Sequence, residues 1–285
     1  MRRYLLYSFL ICNFTLFISC KKDKLKAPKA SFLVVDHVTL KTNSTQGVNS
    51  HNIVDMWYYV DGEFKGVFPV GGVMPIISSG TAEITLFAGI KNNGISSTRL
   101  PYSIYRSKIY RIDIEPGKTY TLSPEFEYNT SAFFYYADNF DANPGQGSYF
   151  SFGGSLPPSN TKDFDMTKSF GGSGGSIFMT MTDAAPQSQL VQASGYYLPD
   201  GGAVIYVELD YKCNQEFNVG LIGGGSDVRD VVTVTRSDEW KHIYIQLTST
   251  VSTAPTYGSY KVYIEAKKIT ATPEIYIDNV KLIYQ

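Results

Sequence analysis

Ile205-Tyr206-Val207-Glu208-Leu209-Asp210-Tyr211 alternates two kinds of side chain. Successive strand residues point to opposite faces of a sheet, so Ile205, Val207, Leu209 and Tyr211 form one face and Tyr206, Glu208 and Asp210 the other. Further along, Ile243, Ile245 and Leu247 oppose His242, Tyr244 and Gln246, and Val262, Ile264 and Ala266 oppose Tyr263 and Glu265. Each of these three strands has an apolar face suited to a core. Each opposite face mixes tyrosine with hydrogen-bonding side chains. No stretch of the chain sustains a helical period, which predicts an all-β protein.

Outward from these strands, the pattern continues to both ends. Ser176 to Thr182, Phe217 to Ile222 and Glu274 to Tyr284 read as strands in the C-terminal half. Phe32 to Leu40, Ile53 to Val60, Glu63 to Phe68, Ala82 to Ala88, Ile109 to Ile114 and Tyr120 to Leu122 read as strands in the N-terminal half. Asp61-Gly62 between two apolar runs predicts a type I′ hairpin, and Glu115-Pro116-Gly117-Lys118 a type II turn. The glycine clusters at 171–175 and 223–225 read as loops between strands. Short strands with frequent turn signals predict β-sandwiches. The division is a signal peptide over 1–19, a tether over 20–31, a first sandwich over 32–128 (Ig-like or transthyretin-like) and a second over 132–285.

The chain has 285 residues, with 25 basic side chains against 26 acidic, and 22 tyrosines against 2 tryptophans. That balance makes no case for nucleic-acid binding. Abundant tyrosine with few charges favours β structure with aromatic faces.

The N-terminus has its own grammar. Arg2 and Arg3 precede an apolar run that ends at Leu16-Phe17-Ile18-Ser19-Cys20, with Lys21 and Lys22 following. A basic stretch, an apolar stretch and a small residue before a cut define a secretory signal. The segment resembles the lipobox of bacterial lipoproteins. It departs from that pattern by carrying Phe17, where leucine is usual, three positions before the cysteine. The resemblance implies lipidation of Cys20 with palmitate-type chains and a membrane anchor in the cell envelope, at the outer membrane. The run is shorter than the 20 or so apolar residues a spanning helix needs. Of the three cysteines, Cys12 falls in the signal and Cys213 follows an apolar run, where an inert buried thiol is expected.

Asp138-Asn139-Phe140-Asp141, Glu239-Trp240-Lys241-His242-Ile243-Tyr244-Ile245 and Ile275-Tyr276-Ile277-Asp278-Asn279-Val280-Lys281-Leu282 together resemble the jelly-roll of carbohydrate-binding modules over about 133–285. The resemblance implies a glycan ligand and a structural calcium ion, with Asp138, Asn139, Asp141 and Asp278 as the matching oxygen ligands. No cofactor is otherwise required. The alternative for Asp278-Asn279 is a β-bulge whose side chains bond backbone donors. Tyr206, Glu208, Tyr244, Gln246, Tyr263 and Glu265 are the candidate groove, since sugars stack on aromatic rings and bond to carboxylates and amides. The alternative is a solvated sheet face, which would move the site to the loops near Tyr149, Tyr196 and Tyr257. Trp57 and Trp240 are read as packing residues.

Catalysis has little support, since no HExxH, GxSxG or CxxC pattern occurs. Glu208 and Asp210 share a strand face as a glycosidase pair would, but spacing alone is weak evidence. The expectation is a non-enzymatic, envelope-anchored lipoprotein that binds a glycan or other surface ligand. The alternatives are an assembly protein docking an envelope complex and, less favoured, a small glycoside hydrolase. The anchor has a direct test. Cys20→Ser is expected to abolish palmitate labelling and to release the protein from the membrane fraction.

Overall fold

The computed structural model describes residues 29–141, 149–152, 160–163, 167–172, 174–254 and 257–285. Cys20, the signal and most of the tether lie outside the described residues. The protein is all-β, apart from one five-residue helix and a single 3-10 turn among the described residues.

The N-terminal strands are β1 (Ser31–Val35), β2 (Thr39–Lys41), β3 (Asp55–Val60), β4 (Glu63–Pro69), β5 (Val73–Ile76), β6 (Gly80–Lys91), β7 (Arg99–Pro101), β8 (Lys108–Ile114), β9 (Thr119–Leu122) and β10 (Glu125–Glu127). One sheet has the order β4-β3-β6-β7, with β8 also on β6; β5-β1-β9 and the pair β10-β2 form two smaller sheets. Leu33, Val35, Met74 and Ile76 from the smaller layer share a core with Met56, Tyr58, Ile84 and Leu86 from the larger sheet. The hairpin between β3 and β4 turns at Asp61 and Gly62, both with positive φ (50° and 81°), as a type I′ turn requires. Gly117 has φ 82° and Lys118 N donates to Glu115 O at 3.2 Å, closing the predicted type II turn.

The C-terminal strands are β11 (Phe133–Asp138), β12 (Phe150–Phe152), β13 (Asn160–Asp163), β14 (Ser176–Met179), β15 (Gln187–Gln192), β16 (Ile205–Cys213), β17 (Phe217–Gly223), β18 (Asp227–Val234), β19 (Ser237–Gln246), β20 (Tyr260–Lys267) and β21 (Ile275–Tyr284). They make two antiparallel sheets. One runs β13-β14-β21-β16-β19, with β11 added on β21; the other runs β12-β15-β20-β17-β18. The chain crosses repeatedly between the sheets, which is jelly-roll architecture. The apolar sets of β16, β19 and β20 all point into the core between the sheets, as the alternation requires.

Opposite Leu209, β21 carries an extra residue. Glu208 pairs with Lys281 and Asp210 with Asp278, leaving Asn279 and Val280 against one residue. Asn279 sits at φ 52°, so this is a β-bulge with asparagine in the left-handed position. The turn re-aims the side chains that follow, which places Lys281 on the outer face of its sheet.

Gly220 on β17 sits beneath Tyr263 of β20. A Cβ there would lie 2.3 Å from Arg229 O and 2.6 Å from the Tyr263 ring. Gly220→Ala is therefore expected to destabilise the protein by about 1–3 kcal/mol through overpacking, measured by denaturant unfolding. Gly201→Ala, where an added Cβ meets nothing within 4 Å, is the control.

Candidate functional site

The six residues of the anticipated groove do not share a surface. β16 and β19 belong to one sheet and β20 to the other, so Tyr263 and Glu265 face away from the remaining four across the whole thickness of the sandwich. Tyr263 donates to Asp230 Oδ1, and Glu265 accepts from Gln189 Nε2 at 3.1 Å. These two residues take part in rows of side chains on the outer face of their own sheet.

Tyr206, Glu208, Tyr244 and Gln246 do point outward from their sheet, but the N-terminal sandwich covers them. Tyr206 and Tyr244 belong to its hydrophobic core, together with Tyr102, Tyr105 and Tyr128. The tip of the β6–β7 hairpin reaches across: Asn93 N donates to Tyr244 O at 2.8 Å, and Gln246 N donates to Asn93 Oδ1 at 2.8 Å. Asn92 Nδ2 donates to Gln246 Oε1 at 3.2 Å. Alternation identifies which side chains leave their own core, and it says nothing about what a second module places over them.

Glu208 lies at the centre of this interface and is fully buried. Tyr102 and Tyr128 each donate a hydroxyl to it, at 2.6 Å to Oε1 and Oε2 respectively. Lys281 Nζ is 3.8 Å from Oε2 and donates to Val48 O at 2.7 Å and to the Tyr128 hydroxyl at 3.0 Å. His242 Nε2 is 3.5 Å from Glu208 Oε2, and its Nδ1 is 2.9 Å from Asp210 Oδ1. Asn279 Nδ2 donates to the other Asp210 oxygen at 2.8 Å. Two carboxylates and two cationic groups are thus sealed together. Burial alone would raise Glu208, but His242, Lys281 and Tyr102 hold its pKa below the ordinary value. Burial lowers Lys281, against the pull of Glu208 and Asp210. For His242 burial acts downward, and Asp210 and Glu208 outweigh it, leaving it at about 8.

The residues matched to a calcium site are held differently. Asp138 accepts from Phe140 N at 3.0 Å and Tyr149 N at 2.9 Å. Asp278 accepts from Phe170 N at 3.0 Å and Asn279 N at 2.7 Å. Asp141 accepts from Gly175 N at 2.9 Å and also from Asn139 Nδ2. These carboxylate oxygens are aimed at backbone donors, as the bulge alternative describes. Among the described residues, no three His, Cys, Asp or Glu side chains are grouped to hold a metal ion. Calcium takes six to eight oxygens, and here oxygens of Asp138, Asp141 and Asp278 are engaged by N–H donors. Burial, reinforced by Asp210 and Asp141, pushes Asp278 up to about 8.

Exposed aromatic surface gathers elsewhere, at the rim of the C-terminal sandwich. Phe133 is 49% exposed and lies 5.1 Å, centroid to centroid, from Tyr284. Tyr284 is 5.3 Å from Tyr135, which is 4.9 Å from Tyr196. Tyr149 stacks on Tyr136 at 4.8 Å, and Tyr136 in turn meets Tyr196 at 6.1 Å. The β11–β21 ladder positions this ribbon. Its register shifts between Phe134 and Tyr136, and the shift leaves Tyr135 as the extra residue beside Tyr284. Tyr149 and Tyr196 come from loops and carry no periodicity. Phe133, Tyr135 and Tyr284 escaped the sequence reading because a bulge decides which way they face. Trp240 packs edge-on to Phe170 at 5.9 Å, and half-buried Trp57 lies 5.6 Å from Phe64.

No family model matches the chain, and no curated protein matches it. Solved structures similar to it include a variant of a family 29 carbohydrate-binding module in complex with mannohexaose. That module is 13% identical, with a TM-score of 0.38, over 54% of this chain and 93% of the module. A second variant, in complex with cellulohexaose, is 14% identical, with a TM-score of 0.36 and the same coverage of both chains.

The buried charges set a pH dependence. Asp278 and His242 keep their protons to about 8 in the fold, against 3.8 and 6.5 for the free groups. The folded state therefore binds more protons than the unfolded state, and stability falls as pH rises. The Asp278 contribution declines from about pH 4 to 8 and that of His242 from about pH 6.5 to 8. Melting is expected at a higher temperature at pH 6 than at pH 8.5. Asp278→Asn is expected to remove part of that slope and His242→Gln another part. Calcium and chelator are expected to give the same melting curve.

Proposed function

We propose that the protein binds a glycan without catalysis, through the aromatic ribbon Phe133, Tyr284, Tyr135 and Tyr196. The observation that supports this reading is a run of rings at centroid steps of about 5 Å, in which Phe133 is half exposed and Tyr284, Tyr135 and Tyr196 are partly exposed. Aromatic faces stack on the axial C–H groups of sugars, and a row of rings can meet successive units of an extended chain. Contiguous exposed apolar surface on a folded protein marks an interaction site.

The non-catalytic part rests on Glu208 and Asp210. A glycosidase needs two carboxyl groups on either side of a substrate bond. Both side chains here are fully buried and committed to tyrosines, His242, Lys281 and Asn279. No substrate reaches them while the two sandwiches are docked. The lipobox-like segment supports an anchor at Cys20, which would hold the binding surface at the cell envelope. Among the described residues, no helix is long and apolar enough to cross a membrane.

A second reading, docking to an envelope protein, is favoured by a separate surface. On the outer face of the β3–β4–β6 sheet, Tyr59 lies 5.2 Å from Phe64 and 5.4 Å from Phe87, and Phe64 is 51% exposed.

Glycan-array screening of the soluble chain from residue 21 onward separates the two. Phe133→Ala and Tyr284→Ala are each expected to weaken binding by about 1–2 kcal/mol, up to roughly thirtyfold. Phe64→Ala is expected to leave glycan binding in place. Loss of glycan binding on Phe64→Ala alone would move the site to that face, and co-purification with a single envelope protein without any glycan signal would favour the docking reading.

A further inference from the structure

Beside the ribbon, at the seam between the sandwiches, is a cleft of about 590 Å³. Its walls are the Lys41–Gln46 turn, Arg106, and the connecting segment from Glu127 to Phe134. Phe133 belongs both to this cleft and to the aromatic ribbon, so the two surfaces are continuous.

The charge in the cleft is one-sided. Among the described residues, Glu127 is the only carboxylate lining it. Three cations converge on that carboxylate: Arg106 hydrogen-bonds it, Lys108 Nζ is 3.4 Å from Oε2, and Lys41 Nζ is 3.8 Å from Oε1. Lys41 and Arg106 line the cleft against this one carboxylate, a surplus of one positive charge, and Lys108 lies behind it. Surface pairs of this kind add little stability, so the surplus has no evident structural use. Lys41 and Arg106 side chains are more than half exposed, and Arg106 gives Glu127 one of the five N–H donors that an arginine carries. Asn43, Gln46, Asn129 and Thr130 add hydrogen-bonding side chains to the same walls.

The cleft is also held in shape. Arg106 N donates to Glu127 O at 2.9 Å, and Asn129 N donates to Ile104 O at 2.7 Å. Tyr128, between them, is locked to Glu208. A rigid basic cleft costs little to order when an anion enters.

We propose that this cleft is a subsite for the anionic group of an acidic glycan, a uronate carboxylate or a sulfate ester, whose sugar rings lie on the aromatic ribbon. Arg106 and Lys41 contact the anion, and Phe133 marks the passage from ring stacking to charge recognition. The proposal rests on the glycan reading above and narrows its ligand to an acidic polysaccharide.

Calorimetric titration of the full mature chain with a neutral mannan, a polyuronate and a sulfated galactan of matched length tests it. An anionic polymer is expected to bind at least tenfold tighter than the mannan at low salt, and the gap should close near 1 M salt, where screening acts over about 3 Å. A preference for the polyuronate assigns the subsite to carboxylate, and one for the galactan assigns it to sulfate. Arg106→Gln and Lys41→Gln, both at exposed positions, are each expected to shrink the gap severalfold. Lys267→Gln, outside the cleft, is expected to leave it unchanged. Equal affinity for neutral and anionic polymers, or a gap that survives Arg106→Gln and Lys41→Gln together, would overturn the subsite and leave the glycan reading standing. No binding to any of the three polymers would remove both.

Discussion

The burial of Glu208 constrains everything around it. A carboxylate taken fully out of water is costly unless every lone pair is met and its charge is balanced. Here the balancing groups come from both halves of the chain: Tyr102 and Tyr128 from the N-terminal side, His242 and Lys281 from the C-terminal side. Separating the sandwiches would strip both tyrosine hydroxyls from Glu208, and the Val48 carbonyl and Tyr128 hydroxyl from Lys281. The network therefore fixes how the sandwiches sit, because few arrangements satisfy so many donors at once. The tyrosine rings add apolar burial to the same contact, with Tyr102 4.9 Å from Tyr206 and 4.8 Å from Tyr244.

That constraint decides where a ligand can bind. The outer face of the β16–β19 sheet is the surface a free-standing jelly-roll would offer to solvent. In this protein it is a second interior. Exposed aromatic side chains are left at the rim of the sandwich, where β11 joins β21, and at the seam where the connecting segment passes. The bulge at Asn279 contributes to both outcomes. It returns Lys281 to the interface and gives Asn279 a bond to Asp210. The ribbon and the basic cleft are thus consequences of docking two sandwiches that each have their own core.

Much of the secondary structure was legible in the residues. Alternation over 205–211, 243–247 and 260–266 picked out the inward sets, and Asp61-Gly62 specified its turn type. β15, the segment Gln187–Gln192, escaped notice because three of its six residues are glutamines and its alternation lacks apolar contrast. β18, Asp227–Val234, escaped because it lies at a sheet edge, where most of its side chains are only partly buried on either face.

The all-β class, the apolar face of each central strand and the tight turns were all readable from the residues alone. These depend on side-chain period and local backbone preference, which a single strand carries within itself. The fate of the polar faces depends on how the two sandwiches pack. Tyr206, Glu208 and Tyr244 have the composition of a sugar-binding face, yet they are covered. Phe133 and Tyr284 look like core residues, yet Phe133 is half exposed and Tyr284 lies only partly buried beside it. Exposure is settled by which sheet packs on which, and by residues such as Tyr102 and Tyr128 that lie about a hundred positions away from the strand they cover. No pattern within a strand encodes that pairing, because it is a property of two surfaces meeting.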